Sequence, residues 1–210
     1  MSVQWERDEQ QKMSAIADVI RRYQSVCTYD YRKFLPQSIM DRYPHIAEDY
    51  HVAYGRNRFA VAQAIQPKNI FEIGVGWSIS ARAFIAGCPE AKYFGVDNGD
   101  IGDIITAPEL PWIPADSDSL HDFRMPSREI PDLIHIDGSH ERGHKKRDVI
   151  KAIQSGAEWL IVDDMHAKPV AAGTFDAFDE VWDGSCIPMA VMENSHTSAM
   201  LFHIGNRGKV

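Results

Sequence analysis

Residues 131–144, PDLIHIDGSHERGH, contain the pattern that decides the fold: a short apolar run that ends in an acid and leads into a polar, helix-forming segment. The run ends at Asp137, and His140 follows three residues later. A second apolar run, WLIVDD at 159–164, ends in Asp163 and Asp164. Acids that end parallel strands meet at one edge of the sheet, where ligands of α/β proteins bind. The pattern therefore predicts a chemical site at that edge.

Short apolar runs alternate with helical patterns from residue 69 onward, which is the order expected of parallel strands joined by helices. The pattern predicts strands at 70–74, 93–97, 112–115, 133–137, 160–163, 189–193 and 199–204, and helices at 78–86, 139–154 and 174–182. The last two strands are too close together for a helical crossover, so we expect them to be antiparallel. The predicted fold is α/β, a Rossmann-like, doubly wound, seven-stranded sheet with an antiparallel last strand and helices on both faces.

Composition limits the cellular setting and the partners. The 210 residues include 22 basic and 30 acidic side chains, and the formal charge of −8 argues against a general nucleic-acid binder or a binder of anionic membranes. Cys27, Cys88 and Cys186 form neither a CxxC pair nor a zinc pattern. No apolar run reaches the roughly 18 residues that span a bilayer, and the polar N-terminus is unlike a signal peptide. These features predict a cytoplasmic protein without nucleic-acid or membrane partners.

A glycine-rich turn follows the first predicted strand. The sequence FEIGVG at 71–76 leads into a helix, and glycines there allow a tight turn and a close approach of the backbone to a ligand. The second strand ends at Asp97, where an acid can accept both hydroxyl hydrogens of a ribose. The third glycine of the dinucleotide fingerprint is replaced by Ile79. Glu72, ahead of the first glycine, suits a cofactor with a cationic amino group better than one with phosphates.

With these motifs the chain resembles the class I S-adenosylmethionine-dependent methyltransferases over about 55–204. The resemblance implies that Glu72, Gly74, Gly76 and Asp97 bind S-adenosylmethionine, with Asp116 and Ser117 near its adenine. It also implies a division into an N-terminal helical or cap segment, 1–54, and a methyltransferase domain, 55–210. The N-terminal helices allow a homo-oligomer, and the aromatic stretch 29–54 either lines an acceptor pocket or packs in the core.

A narrower resemblance is to the small metal-dependent O-methyltransferases of macrolide-sugar and cephalosporin biosynthesis. It is carried by IDGSH at 136–140, by Asp148, by VDD at 162–164 and by GTFDAFDE at 173–180. It implies that Asp137, Asp163 and Asp164 ligate Mg²⁺, that His140 is the base, and that a hydroxyl of a small molecule or sugar-bearing natural product is methylated. A divalent cation lowers the pKa of a bound hydroxyl, and a histidine titrates near neutral pH. Trp77 and the short segment between Asp97 and Asp116 depart from these relatives.

Other interpretations of the same residues are open. The methyltransferase could be metal-independent and act on another small-molecule acceptor. His135, Asp137 and His196 could form the two-histidine, one-carboxylate site of a non-haem iron oxygenase. The chain could instead bind a cofactor without catalysis, as a partner protein. Asp137 could also cap the next helix through its carboxylate.

Overall fold

The structure is a computed structural model that describes residues 3–99, 110–181, 187–190 and 198–205. Its strands are β1 (Asn69–Ile73), β2 (Lys92–Asp97), β3 (Trp112–Pro114), β4 (Leu133–Ile136), β5 (Trp159–Val162), β6 (Ile187–Ala190) and β7 (Met200–His203). They form one sheet in the order β3-β2-β1-β4-β5-β7-β6. The β7 strand is antiparallel to both β5 and β6, and the other neighbouring pairs are parallel. The predicted seven-stranded sheet with an antiparallel last strand is confirmed.

Six α-helices accompany the sheet in the described part of the chain. They are α1 (Val3–Val26), α2 (Gln37–Arg42), α3 (Asp49–Ile65), α4 (Ile79–Gly87), α5 (Arg142–Ser155) and α6 (Lys168–Val181). One core joins α1, α3 and α4 to the sheet face that carries Ile70, Leu133 and Leu201. The other joins α5 and α6 to the face that carries Phe71 and Ile134. The central strands are buried on both faces, as parallel strands between two helical layers are, and the predicted two-sided arrangement is confirmed.

Two helices begin elsewhere than the sequence pattern predicts. The α6 helix starts at Lys168, six residues before the predicted start, because Pro169 is compatible with a first helical turn although it looks like a helix breaker. The α5 helix starts at Arg142 and is preceded by Glu141, so Asp137 lies five residues upstream and does not cap it. The interpretation of Asp137 as a helix cap was therefore wrong.

The N-terminal segment packs directly on the sheet. The α3 helix runs through residue 54, so the predicted division between 1–54 and 55–210 falls inside one continuous helix. Val52 and Val61 on this helix share a core with Met13 of α1 and Ile79 of α4. The segment therefore brings side chains of α3 to the sheet face beneath it. Across the described ranges, none of the helices has the length and apolarity needed to cross a membrane.

Candidate active site

A cavity of about 990 Å³ opens at the carboxyl edge of the sheet, beyond the ends of β1, β2, β4 and β5. Each of these strands ends in one of the motifs singled out in the sequence. The cavity therefore collects nearly all of the predicted site residues, namely Gly74, Gly76, Asp97, Asp116, Ser117, Asp137, His140, Asp163 and Asp164. This is the arrangement expected at the ligand-binding edge of a doubly wound sheet.

The turn after β1 is held in an unusual backbone conformation. Gly74, Gly76 and Ser78 all have positive φ, at 85°, 45° and 56°. A Cβ atom at Gly74 would lie 2.4 Å from the carbonyl oxygen of Asp137. The turn therefore lies directly against the end of β4, and glycine is required at 74 by both its conformation and this contact.

Asp97 is fixed by two backbone groups on the wall of the cavity. Its Oδ2 accepts a hydrogen bond from the Gly76 N–H and its Oδ1 one from the Gly99 N–H, each at 2.9 Å. Each carboxylate oxygen can accept a further hydrogen bond. Asp116 is held similarly, since its Oδ1 accepts from the Asp118 N–H at 2.9 Å, and it stands with Ser117 at the same end of the cavity.

Glu72, which was predicted to bind the cofactor, lies completely buried inside the core and not on the cavity wall. Its Oε1 accepts hydrogen bonds from Ser80 and lies 2.7 Å from Nδ1 of His135, and its Oε2 accepts from the hydroxyl of Tyr93. Its carboxylate is thus occupied by three internal side chains, and Glu72 supports the site from inside the core.

His135 links this internal network to the acids of the cavity. Its ring is fully buried, with Nδ1 at 2.7 Å from Oε1 of Glu72 and Nε2 at 3.5 Å from Oδ2 of Asp163. Burial alone would lower the pKa of His135, but the neighbouring carboxylates of Asp163 and Glu72 outweigh burial and raise the pKa to about 9. The imidazole is therefore a cation at neutral pH that lies between two carboxylates.

This shifted pKa predicts a pH dependence of stability. A histidine with a raised pKa contributes its full stabilisation below 6.5 and loses it as the pH rises through about 9. We expect the free energy of unfolding to fall over this interval by an amount on the order of 3 kcal/mol. Urea unfolding between pH 6 and 9.5 measures it, and His135→Gln should flatten the decline. An equally steep decline in the variant would contradict the assignment.

Asp163 and Asp137 each bond to a side chain of α3. Arg58, completely buried, donates to Oδ2 of Asp163, while Oδ1 of Asp163 accepts from the Asp164 N–H at 3.0 Å. Burial opposes ionisation of Asp163, but the charges of Arg58 and His135 hold its pKa well below the usual range. The Tyr54 hydroxyl donates to Oδ2 of Asp137 at 2.8 Å. Burial, with the nearby charge of Asp163, raises the pKa of Asp137.

Asp164 points to the other side, into the cavity, and pairs with His140. Nε2 of His140 lies 2.8 Å from Oδ2 of Asp164, and this hydrogen bond raises the pKa of the imidazole. Asp164 has a φ of 56°, a left-handed conformation that aspartate tolerates better than most residues. The result is a carboxylate–imidazole dyad at the mouth of the cavity, in which Asp164 orients the ring and increases its basicity.

Sequence reasoning missed Arg58, and it named Tyr54 only as part of the aromatic stretch 29–54, without its bond to Asp137. They lie four residues apart on α3, with the Arg58 guanidinium 3.8 Å above the centre of the Tyr54 ring. The sequence places Arg58 among apolar residues of a helix, and arginine is almost never fully buried without a partner. This pattern could have indicated a buried ion pair. The partner of Arg58 is 105 positions away in the chain, and no local motif connects the two. His196, named in the iron-oxygenase alternative, lies outside the described residues.

No protein-family model matches the sequence, and a search of curated proteins found no match. The O-methyltransferase of Bacillus cereus, in complex with S-adenosylhomocysteine, is similar with a TM-score of 0.61 and 13% identity, over 89% of this chain and 97% of that one. TomG of Streptomyces achromogenes, an O-methyltransferase of tomaymycin synthesis in complex with S-adenosylmethionine, is similar with a TM-score of 0.54 and 12% identity, over 88% of this chain and 98% of that one. Precorrin-6y C5,15-methyltransferase of Geobacter metallireducens is similar with a TM-score of 0.50 and 14% identity, over 69% of this chain and 86% of that one.

These likenesses bear on the alternatives raised by the sequence. At such low identity they establish the fold, and they give no support to an iron oxygenase or a non-catalytic partner protein. The three neighbours include both O-methyltransferases and a precorrin C5,15-methyltransferase, so the fold does not fix the acceptor. The chain has the fold of the class I S-adenosylmethionine-dependent methyltransferases.

Proposed function

We propose that the protein is an S-adenosylmethionine-dependent methyltransferase that methylates a hydroxyl group of a small molecule. The observation that carries the proposal is a single cavity with two different walls. One wall is the left-handed turn at Gly74 and Gly76 with Asp97 beside it. The other is Asp137 with the His140–Asp164 dyad. A nucleoside-type ligand on the first wall would place its reactive end at the second.

The first wall suits the adenosine part of the cofactor. Asp97 can accept the two ribose hydroxyls, because each of its oxygens keeps a lone pair after bonding to the backbone. Asp116 and Ser117, further along the same wall, would stand near the adenine. The glycine turn lets the ligand approach the backbone closely. These are the roles predicted from the sequence, apart from that of Glu72.

The second wall suits proton removal. S-Adenosylmethionine supplies a methyl group on sulfur, which moves to the acceptor oxygen in an in-line displacement once donor and acceptor are aligned. The hydroxyl loses its proton as the new oxygen–carbon bond forms, and we assign that proton to His140. Asp164 stabilises the imidazolium that results. Asp137, held by Tyr54, faces the same space and would orient the hydroxyl.

Side chains of the N-terminal segment complete the acceptor side. Glu48, Tyr50, His51 and Tyr54 line the cavity opposite the sheet, together with Trp77. The Tyr50 and His51 rings are 4.0 Å apart, and the Trp77 ring packs edge-on against Tyr43 at 4.6 Å. Aromatic side chains combined with a few placed polar groups are typical of sites for small organic ligands. A small-molecule acceptor with an apolar body and a free hydroxyl fits them.

The predicted magnesium site does not fit the side chains as they are arranged. Two sets, His135–Asp137–Asp163 and Asp137–His140–Asp164, bring potential ligand atoms within 4.8 Å of one another. In the first, however, both oxygens of Asp163 already accept hydrogen bonds, one of them from the Arg58 cation. Mg²⁺ prefers an octahedron of oxygen ligands, and a guanidinium on one of them would repel it. In the second set, Oδ2 of Asp137 accepts from Tyr54 and Oδ2 of Asp164 pairs with His140. We therefore propose that the reaction is metal-independent.

Asp97→Ala should abolish cofactor binding while leaving the fold intact. Two hydrogen bonds to a charged acceptor contribute about 1.5–3 kcal/mol each, so we expect the affinity for S-adenosylhomocysteine to fall by at least about 100-fold. Isothermal titration calorimetry measures this loss. Asp132→Ala is a matched control, because Asp132 also accepts from two backbone N–H groups, those of Lys68 and Asn69, at the opposite edge of the sheet. Equal affinity in Asp97→Ala and Asp132→Ala would refute the cofactor site.

A further inference from the structure

The acids of the site form a dense group that requires a cation. Asp137, Asp163 and the His135 ring bring their ligand atoms within 4.8 Å of one another, and Asp164 follows directly. Carboxylates this close cannot all ionise unless positive charge neutralises them. His135 is shared with Glu72, so it does not neutralise the group alone. The completely buried Lys145 adds positive charge, chiefly beside Asp137. Asp163 therefore needs a positive charge of its own, from a metal or from a side chain.

Arg58 provides that charge from within the fold. The ion pair with Asp163 has both side chains almost completely buried, at 1% and 2% exposure. Arg58 does not line the cavity, so it reaches the acids from the α3 side of the sheet and leaves the cavity open. Its guanidinium stacks on Tyr54, whose hydroxyl bonds to Asp137. One helix thus supplies a cation for Asp163 and a hydrogen-bond donor for Asp137.

We infer that Arg58 is the resident cation of this acid group and stands where a divalent metal would otherwise bind. Asp163 is then a partner of Arg58 and not a metal ligand. Arg58 is a positioning residue: it holds Asp163 directly and, through the stacked Tyr54 ring, the carboxylate of Asp137 that faces the cavity. The inference deepens the proposed function and rests on it for its chemical meaning, although the arrangement of charges stands without it.

Removal of the guanidinium should convert the group into a metal site. Without Arg58, Asp163 would be a buried carboxylate next to Asp137 and Asp164, with hard oxygen atoms that suit Mg²⁺ or Mn²⁺. Arg58→Gln removes the charge but keeps a polar side chain of moderate length. Arg58→Lys keeps the charge. The matched control is Arg56→Gln, on the same helix, because Arg56 donates to the Tyr29 carbonyl oxygen and not to the acids.

The experiment is thermal unfolding of the purified protein with and without millimolar MnCl₂, together with calorimetric titration of MnCl₂. We expect the wild type, Arg58→Lys and Arg56→Gln to show no specific site and a change in Tm below about 1 °C. Arg58→Gln should have a lower Tm without metal and gain about 5 °C or more with it, since a ligand that binds the native state stabilises it by mass action. Loss of this gain in the double variant Arg58→Gln, Asp163→Asn would locate the new site.

A specific Mn²⁺ site in the wild type would overturn the inference, and so would a folded Arg58→Gln variant that gains no metal stabilisation. If Arg58→Gln does not fold, the wild type and Asp163→Asn decide the matter: no Mn²⁺ site in the wild type supports the inference, and a wild-type site that Asp163→Asn removes refutes it. Since S-adenosylmethionine takes no part in these titrations, their failure and a failure of cofactor binding are separate results.

Discussion

Gly74→Ala should lower the free energy of unfolding by an amount on the order of 3 kcal/mol and abolish binding of S-adenosylhomocysteine. Gly74 has a φ of 85°, where an L-residue with a side chain costs about 1–2 kcal/mol. The new Cβ would also lie 2.4 Å from the carbonyl oxygen of Asp137 and 2.7 Å from the backbone nitrogen of Gly138. Both are backbone atoms, so relief of the contact must move the end of β1 away from the end of β4. Urea unfolding and calorimetric titration measure the two effects.

Gly156→Ala separates conformational strain from the close contact. Gly156 has nearly the same backbone conformation, with a φ of 82°, but its Cβ would come no closer than 3.9 Å to a neighbouring atom, Cδ1 of Ile130. We expect the free energy of unfolding to fall by only about 1–2 kcal/mol, the cost of the left-handed conformation, and the affinity for S-adenosylhomocysteine to stay unchanged. Similar losses in the two variants would mean that the contact between Gly74 and Asp137 contributes nothing.

The second large effect concerns the proposed base. His140→Gln should reduce kcat for methyl transfer by about 10²- to 10⁴-fold, the range typical of general base catalysis, without changing the affinity for S-adenosylhomocysteine. Release of S-adenosylhomocysteine in the presence of a hydroxyl acceptor found by screening reports the rate. The wild-type rate should fall toward acidic pH, because a protonated imidazole cannot accept the proton. Asp164→Asn removes the group that raises the pKa of His140, so the acidic limb should move to lower pH and kcat should fall.

His166→Gln is the matched control for the dyad. Its Nδ1 also lies near Asp164, at 3.9 Å from Oδ1, but its side chain is exposed and does not line the cavity. We expect both kcat and the pH profile to stay as in the wild type. A His140→Gln variant with undiminished kcat would assign the base to another group, and Asp137 would be the first to examine. If the fall of the rate at acidic pH occurs at the same pH in Asp164→Asn as in the wild type, Asp164 does not raise the pKa of His140.

The strands and their chemistry were predictable from local sequence. The run WLIV is apolar throughout and LIHI is apolar apart from His135, and turn residues bound both runs, so the alternating α/β pattern identified the sheet. Acids that end these strands must lie at one edge whatever the details of packing. This reasoning predicts that Asp97, Asp137 and Asp164 lie at one edge of the sheet, and all three line the same cavity. Helix starts were less predictable, since Pro169 looks like a helix breaker but lies in the first turn of α6.

The face of the sheet to which each side chain points could be predicted only with the register between the strands. Glu72 pairs with His135 on β4, and His135 with Ile161 on β5. Residues two apart on a strand face the same side, so Glu72, His135, Asp137 and Asp163 all turn toward the face that α3 covers. Asp164, one residue further, turns into the cavity. A motif gives the residues at a strand end but not the helix above them. The sequence therefore suggested three equivalent metal ligands, whereas in the fold each acid has a different partner: Arg58 for Asp163, Tyr54 for Asp137 and His140 for Asp164.

Asp163 is not available as a metal ligand because a tertiary contact pairs it with Arg58. Arg58 reaches it only because the N-terminal segment packs α3 over β4 and β5, and local propensity contains no information about that contact. A guanidinium in the core requires a fixed acceptor, and Asp163 is that acceptor. The same helix carries Tyr54 to Asp137. Thus the part of the chain with the least distinctive sequence determines the electrostatics of the candidate site.

A crystal structure of the protein grown with S-adenosylhomocysteine tests the central claim most directly. We predict the ligand in the cavity at the carboxyl edge of the sheet, with its ribose hydroxyls on Asp97 and its sulfur directed toward Asp137 and His140. Density for the ligand at another place, or a ribose that makes no contact with Asp97, would contradict the account.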